Sequence, residues 1–250
     1  MEGYHARFME AAHQRVNLSD KTILEVGCGT GEMLKEIAAK YKPAMIIGVD
    51  PKVIQEQQGD NWRIVQGDVT ALKYPDCSFD VVISVATFEH ITNLVKAFSE
   101  IKRILKPFGK LYVSLGPIWT SIRGHHYRLT DRKWAELIPP WGHLWLDQNE
   151  MFNYLQPLVG EEEARKACSS IYECKRLNRL TRRDYYNIIL NSGMWVRFVQ
   201  ECISLSRFSR FGDRESEYSI EIYKKLAKKY QPQDLSVDGI TFLLEKYANL

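Results

Sequence analysis

The chain has 250 residues, 45% of them apolar and 26% charged, and 34 basic against 31 acidic residues give a formal net charge of +3. This length suits one large domain or one domain with a sizeable insertion, and the composition is that of an ordinary globular protein. The small net charge gives no support to nucleic acid or an anionic membrane as a partner.

The first half of the chain alternates predicted strands and helices with short connections. The fourth strand, DVVISV, is almost continuously apolar, as expected for a central parallel strand that is covered on both faces. This alternation predicts a parallel sheet with right-handed crossovers. The predicted strands cover residues 22–26, 45–49, 63–66, 80–85 and 110–115, and the predicted helices cover 32–41 and 94–105, with Asn93 as the N-cap of the second.

The alternation stops after Leu115. Residues 116–179 are rich in aromatic residues, histidine and proline. Their pattern predicts helices and no clear strand. A helix over 180–192, a strand over 194–203, a helix over 216–230 and a last strand over 239–244 follow. We therefore predict a single domain over 1–250 that carries a helical insertion, residues 116–179, as a cap for a substrate.

The N-terminal residues 1–5 contain no apolar signal core, and no segment has the roughly 18 apolar residues that a membrane span needs. The five cysteines are odd in number and form no C-x-x-C pair. Such cysteines favour a reducing compartment over a disulfide framework or a zinc site. We expect a cytoplasmic protein without a membrane segment.

A glycine-rich turn, EVGCGTG over residues 25–31, joins the first strand to the first helix. Its glycines allow a sharp turn and a close approach to a ligand, and the helix N-terminus offers unpaired N–H groups. A dinucleotide-binding turn would have its third glycine at position 32, which holds Glu32. A carboxylate there would oppose a pyrophosphate.

Two acidic residues follow the next two strands. Asp50 ends the second strand, where it is placed to accept hydrogen bonds from both hydroxyls of a ribose, and Asp68 follows the third strand, where it is placed to accept from an adenine amine. Each residue alone also fits a turn or a helix cap. Their order on consecutive strand ends indicates one binding crevice.

At these residues the sequence resembles the class I S-adenosylmethionine-dependent methyltransferases. The resemblance covers residues 22–117 closely and 180–246 more loosely, and its motifs are specific for fold and cofactor. It implies a doubly wound, Rossmann-like α/β sheet of seven strands, with the last strand antiparallel and a helical insertion after the fifth. The motifs are ILEVGCGTGEML, IIGVDP, VQGDVTAL, FDVVISVATFEHI and LKPFGKLYVSL.

The resemblance also implies a site for S-adenosyl-L-methionine. The glycine turn and Val85 would lie beside its methionine part, Asp50 would hold the ribose, and Asp68 with Val69 would contact the adenine. His90 matches a family position near the cofactor with a structural role. The residues expected at the cofactor are Glu25, Gly27, Cys28, Gly29, Gly31, Asp50, Pro51, Gly67, Asp68, Val69, Val85 and His90.

Methyl transfer to an oxygen acceptor usually needs a base, and histidine suits that role near neutral pH. His126, then His125, are the first candidates, because they follow closely after the fifth strand; His143 is the third. Each is also compatible with a purely structural role in the insertion. A metal held by these histidines ranks below the base, so no metal is predicted. The residues expected at the substrate are Trp119, Arg123, Tyr127 and Arg128.

The sequence lacks the Asn/Asp-Pro-Pro-aromatic motif of nucleic-acid amino methyltransferases, with residues 84–87 (SVAT) in its place. It therefore favours a small-molecule acceptor, with a hydroxyl of a sugar, a nucleotide-linked compound or a secondary metabolite preferred. A nucleotide-linked oxidoreductase on the same fold and a non-catalytic cofactor-binding module are the alternatives. The sequence carries no signal for an oligomeric state.

Overall fold

A computed structural model describes residues 2–127, 137–203 and 213–248. The chain divides into two compact units. Unit 1 comprises Met1–Leu115, Tyr186–Gln200 and Ile240–Leu250, and unit 2 comprises Gly116–Tyr185 and Glu201–Gly239. The predicted insertion begins where unit 2 begins, and its extent over residues 116–179 stays a prediction.

The strands are β1 (Thr22–Val26), β2 (Met45–Asp50), β3 (Gln57–Gln58), β4 (Trp62–Gln66), β5 (Phe79–Val85), β6 (Leu105–Leu115), β7 (Trp195–Ile203) and β8 (Val237–Glu245). They form one sheet in the order β3-β4-β2-β1-β5-β6-β8-β7. The central strands β4, β2, β1, β5 and β6 run parallel, and β8 runs antiparallel to β6. The predicted doubly wound α/β fold with an antiparallel last strand is confirmed.

The sheet has eight strands where seven were predicted. The additional strand is β3, two exposed glutamines that pair antiparallel with the edge strand β4. A two-residue polar strand leaves no periodic pattern in the sequence. Strand β6 also begins at Leu105 instead of Lys110, because Leu105 already pairs with Phe79 before an irregularity near Phe108, whose φ is +61°.

The helices are α1 (Glu2–Val16), α2 (Glu32–Tyr41), α3 (Leu94–Ile104), α4 (Gly142–Trp145), α5 (Gln148–Val159), α6 (Glu161–Cys168), α7 (Arg182–Leu190), α8 (Asp213–Leu226) and α9 (Pro232–Ser236). Asn93 accepts a hydrogen bond from Lys96 N and caps α3 as predicted. Among the described residues, no helix has both the length and the apolar character needed to cross a membrane.

Helices α1 and α2 pack on one face of the sheet and build the core of unit 1. Phe8 of α1 stacks on Tyr112 of β6 at 5.3 Å, and the Tyr4 hydroxyl lies 3.1 Å from Ser114 Oγ near the end of the same strand. Burying a side chain such as Phe8 contributes roughly 1.5–3 kcal/mol. These contacts fix the first turn of α1 at the edge where the parallel strands end.

Unit 2 has its own apolar clusters. One is formed by α5 and α6 around Met151, Leu155 and Ala164, and another surrounds the fully buried Trp141. Helix α5 begins with a capping box, in which Asp147 and Glu150 each accept from the other's backbone N–H.

Candidate functional site

The glycine turn between β1 and α2 is held against the end of β2. The amides of Gly27 and Cys28 both donate to Val49 O, at 2.8 and 3.4 Å. Gly27, Gly29 and Gly31 have φ angles of +78°, +53° and +77°, in the left-handed region that favours glycine. The turn therefore depends on its glycines for backbone conformation.

The three glycines face different surroundings. A Cβ atom on Gly27 would lie 2.1 Å from Thr87 Oγ1, and one on Gly31 would lie 2.0 Å from Ile64 Cδ1. A Cβ atom on Gly29 would meet no atom within 4 Å. Gly27 and Gly31 thus serve packing, whereas Gly29 borders open space in which a ligand can approach the backbone.

We expect Gly27→Ala to destabilise the protein more than Gly29→Ala. Both substitutions put alanine at a positive φ, at about 1–3 kcal/mol, and only the first also forces a Cβ into the Thr87 side chain, which adds roughly 1–3 kcal/mol. Thermal unfolding of the two variants side by side measures the difference. Equal losses of stability would contradict the contact between residues 27 and 87.

Glu25 is a buried carboxyl group beside this turn. It is 2% exposed, and its Oε2 atom has no hydrogen-bond partner among the described residues. Burial raises the pKa of Glu25 from 4.5 to about 8. A buried polar atom without a partner is rare in folded proteins, so the Oε2 atom of Glu25 is an acceptor position that the described residues leave open.

Asp50 joins the end of β2 to the glycine turn. Its Oδ2 accepts from Gly29 N at 3.2 Å, and its Oδ1 accepts from Lys52 N at 2.8 Å. A carboxylate offers about four acceptor positions, so two further hydrogen bonds to a ligand are available. Pro51 follows on the exposed surface.

Asp68 lies on the neighbouring loop, after β4. Its side chain is exposed, and Oδ1 accepts from both Thr70 N and Thr70 Oγ1 at 2.8 Å. Gly67 N donates to Asp50 O at 3.3 Å, which ties this loop to β2, and Val69 is buried. A pocket of about 570 Å³ opens at these strand ends and is lined in part by Pro51, Gly67 and Asp68.

Three other predicted cofactor residues, Val85, His90 and Cys28, differ in how far they are exposed to solvent. Val85 ends β5 and is buried in the core of unit 1, whereas His90 is exposed in a 3₁₀ turn over Phe88–His90. Cys28 is buried in the glycine turn, and burial raises the pKa of its thiol to about 12. The Cys28 thiol is thus a packing group and not a nucleophile at neutral pH.

Unit 2 holds the candidate histidines. His125 and His143 are buried with ring centroids 5.4 Å apart. Burial lowers the pKa of His143 to about 4 and holds the pKa of His125 well below its usual value. His143 Nε2 lies 2.7 Å from Trp119 O, and His125 Nδ1 accepts from Tyr127 N at 3.0 Å. Both rings are therefore neutral at neutral pH and bonded to the backbone of their own unit.

His126 differs from the other two histidines. It is half-buried, has a φ of +53°, and its Nε2 lies 2.5 Å from Pro117 O. Among the predicted substrate residues, Trp119 is half-buried, with its ring 4.6 Å from the His143 ring and 4.8 Å from the Arg179 guanidinium carbon.

The other predicted substrate residues also belong to unit 2. Arg123 is half-buried, and the Tyr127 hydroxyl donates to Glu163 Oε1 at 2.8 Å, so that hydroxyl stabilises unit 2 itself. The predicted residue Arg128 lies outside the described residues. The structure thus assembles the cofactor candidates in unit 1 and the remaining described candidates in unit 2.

One group at the strand ends of unit 1 was not predicted from the sequence. The hydroxyls of Tyr4, Ser114 and Thr241 form a chain, with oxygen separations of 3.1 and 3.0 Å. Tyr4 comes from α1 and Thr241 from β8, so only the folded chain brings them to the end of β6.

The fold is a doubly wound α/β sheet with a pocket at the carboxyl ends of its parallel strands, the edge at which such folds bind ligands. The family model described as a methyltransferase domain matches residues 24–113. A sterol 24-C-methyltransferase of Gibberella zeae is 36% identical over 97 residues, which amount to 35% of this chain and 25% of that protein. The chain thus matches about a quarter of that relative's length.

Solved structures extend the likeness of fold to nearly the whole chain. The methyltransferase solved with the Haloferax volcanii Trm112 methyltransferase activator covers 99% of this chain and is itself covered to 92%, with a TM-score of 0.58 and 17% identity. The [4+2]-cyclase SpnF covers 97% of this chain and is covered to 81%, with a TM-score of 0.57 and 16% identity. Because SpnF is named a cyclase, the fold alone does not define the reaction.

Residues 24–113 of this chain therefore form a region similar to a methyltransferase domain, the part in which the sequence resembles the class I S-adenosylmethionine-dependent methyltransferases. The predicted resemblance is confirmed over that part of the chain as a methyltransferase domain.

Proposed function

We propose that this chain is an enzyme that binds S-adenosyl-L-methionine at the glycine turn and transfers the methyl group to a small-molecule acceptor. A hydroxyl of a sugar, a nucleotide-linked compound or a secondary metabolite is the preferred acceptor. The single observation that carries the proposal is the buried carboxyl of Glu25 beside a glycine turn that is open at Gly29. In the described part of the chain, its Oε2 atom has no hydrogen-bond partner.

The residues present fit this cofactor group by group. Glu25 supplies an acceptor for the ammonium of the methionine part, and the open side of Gly29 admits the chain that carries the sulfur. Asp50 has acceptor positions left for two ribose hydroxyls. Asp68 and Val69 are the candidates for the adenine, and the pocket of about 570 Å³ next to them is of ligand-binding size.

A nicotinamide dinucleotide fits less well. Helix α2 begins at Glu32 after the left-handed Gly31, so a carboxylate occupies the first turn of the helix. The pyrophosphate of a dinucleotide needs that helix N-terminus and would be repelled there. This argument ranks the nucleotide-linked oxidoreductase below the methyltransferase.

The main task of the protein in this reaction is to align the acceptor with the methyl group. When bound, the cofactor supplies a methyl group that is already activated by its sulfonium, so the residues around it orient the acceptor and exclude water. An acceptor hydroxyl also has to lose a proton. Of the three candidate histidines we retain His126 for that role, because it is half-buried, whereas burial lowers the pKa values of His125 and His143.

The choice of acceptor rests on sequence motifs and on the name of one relative. Residues 84–87 lack the motif that holds a nucleobase amine, which argues against nucleic acid. The relative from Gibberella zeae is named for a small organic acceptor, a sterol, although its name gives carbon as the methylated atom. Both observations support a small acceptor, and the preference for oxygen depends on the histidines of unit 2.

Thermal unfolding with S-adenosylhomocysteine, with NAD as the comparison ligand, tests the cofactor. At 100 times its dissociation constant, a ligand of the folded state adds about 2.7 kcal/mol of stability. We expect stabilisation by S-adenosylhomocysteine alone. Stabilisation by NAD instead would favour the oxidoreductase and remove the proposal.

Transfer of labelled methyl from S-adenosylmethionine tests the reaction and the acceptor. We expect label in a panel of sugars, nucleotide sugars and hydroxylated metabolites and none in tRNA or rRNA. Label in RNA would overturn the small-molecule acceptor. Cofactor binding without transfer to any of them would favour the non-catalytic binding module.

A further inference from the structure

The glycine turn holds a carboxyl group that is removed from solvent. Glu25 lies on β1 between Gly48 of β2 and Ile83 of β5. It is 2% exposed, and none of the residues that the structure describes forms a hydrogen bond with its Oε2 atom. An ionised carboxylate in such a position is strongly disfavoured unless it is paired.

Burial raises the pKa of Glu25, and among the described residues no basic side chain lowers it. Asp50 already accepts from two amides and is acidic itself. The thiol of Cys28 titrates only at high pH, and the charge of Glu25 contributes to raising that pKa. The ionisable groups on the elements around β1 are Cys28 in the turn, Asp50 on β2, Asp80 on β5 and Glu89 after it. Helix α2 adds Glu32, Lys35, Glu36, Lys40 and Tyr41, and the described side chains of α1 add Tyr4, His5, Arg7, Glu10, His13 and Arg15.

We propose that ligand binding at this site is a proton exchange, in which Glu25 is neutral in the ligand-free protein and releases its proton when it receives the ligand's ammonium. The proposal rests on the proposed function, because the ligand is an amino-acid-bearing nucleoside such as S-adenosylhomocysteine. The carboxylic O–H bond breaks, the proton leaves to the buffer, and the carboxylate pairs with the intact ammonium. No bond to the ligand forms.

This exchange gives binding a defined pH dependence. Below about pH 8, the free carboxyl and the free ammonium both hold a proton, whereas the complex holds only the ammonium proton. Affinity therefore falls about tenfold for each pH unit of acidification. Above the amine's own pKa, of about 8 for α-amino groups, the free ligand lacks the proton that the complex needs, and affinity falls again.

Isothermal titration calorimetry between pH 6 and pH 9.5 tests the proposal with S-adenosylhomocysteine as the probe. Two buffers of different ionisation enthalpy report the number of protons released. We expect the tightest binding near pH 8 and release of nearly one proton at pH 6.5. The matched control ligand is 5′-methylthioadenosine, which shares the nucleoside and the sulfur and lacks the amino-acid group, and its affinity is expected to be independent of pH on the acid side.

Glu25→Gln keeps the shape of the side chain without the titrating proton. We expect this variant to bind S-adenosylhomocysteine more weakly at pH 8 and without proton release at pH 6.5. Wild-type binding with constant affinity from pH 6 to pH 8 would overturn the proton exchange and leave the proposed function intact. Absence of binding at every pH would overturn both.

Discussion

Glu25→Gln is expected to raise the thermal stability of the ligand-free protein at pH 9 and to change it little near pH 5. In the wild type, the folded-state pKa of Glu25 is about 8, above the ordinary glutamate value of 4.5 that applies to the unfolded chain. The unfolded chain therefore gives up this proton more readily, and the contribution of Glu25 to stability is intact below pH 4.5 and lost as pH rises through 8. Gln removes this loss, which amounts to about 5 kcal/mol at most.

Melting temperature as a function of pH, from pH 5 to pH 9, measures the effect without any ligand. Glu36→Gln on the exposed surface of α2 is the matched control and should show no such pH-dependent gain. A Glu25→Gln variant that is less stable than the wild type at pH 9 would mean that the folded protein stabilises the carboxylate. Unit 1 would then hold a partner for Glu25.

Asp50→Ala is expected to weaken the affinity for S-adenosylhomocysteine by roughly a hundredfold or more. Two hydrogen bonds from ribose hydroxyls to a charged acceptor are worth roughly 1.5–3 kcal/mol each, and about 1.4 kcal/mol corresponds to tenfold in affinity. The substitution also removes the acceptor for Gly29 N, so the glycine turn loses one of its ties to β2. Titration calorimetry at pH 8 measures the change.

Two further variants separate these effects. Asp50→Asn keeps an acceptor oxygen without the charge and should lie between wild type and alanine. Asp60→Ala changes an exposed aspartate on the loop before β4 and should leave affinity unchanged. Unaltered affinity in Asp50→Ala would remove Asp50 from the ligand site.

The sequence was sufficient to predict the central parallel strands of unit 1, because their signals are local. The apolar runs of β1, β2 and β5 define parallel strands, and the ends of such strands meet at one edge. The positions of Gly29 and Asp50 near each other follow from that rule alone. The hydrogen bond from Gly29 N to Asp50 Oδ2, at 3.2 Å, agrees with this prediction.

The features that escaped prediction depend on distant parts of the chain. Tyr4 meets Ser114 only after α1 has packed on β6, and unit 2 draws residues 201–239 together with 116–185. Histidines pose a different difficulty, because a buried neutral ring and a catalytic base use the same residue type. Only the burial of His143, with its pKa of about 4, distinguishes a ring built into the core from one that titrates near neutrality.

The place of β8 in the sheet has a consequence for how the chain folds during synthesis. Ser114 of β6 and Thr241 of β8 are hydrogen-bonded although they are 127 positions apart. As β8 lies between β6 and β7, the growing chain carries an open β6 edge until the residues of β8 leave the ribosome. An unpaired edge strand is a template for wrong pairing, and closing so long a loop is slow. We therefore expect the nascent domain to pass through a stage in which strands β4 to β6 are paired. At that stage the free edge of β6 is a site for aggregation.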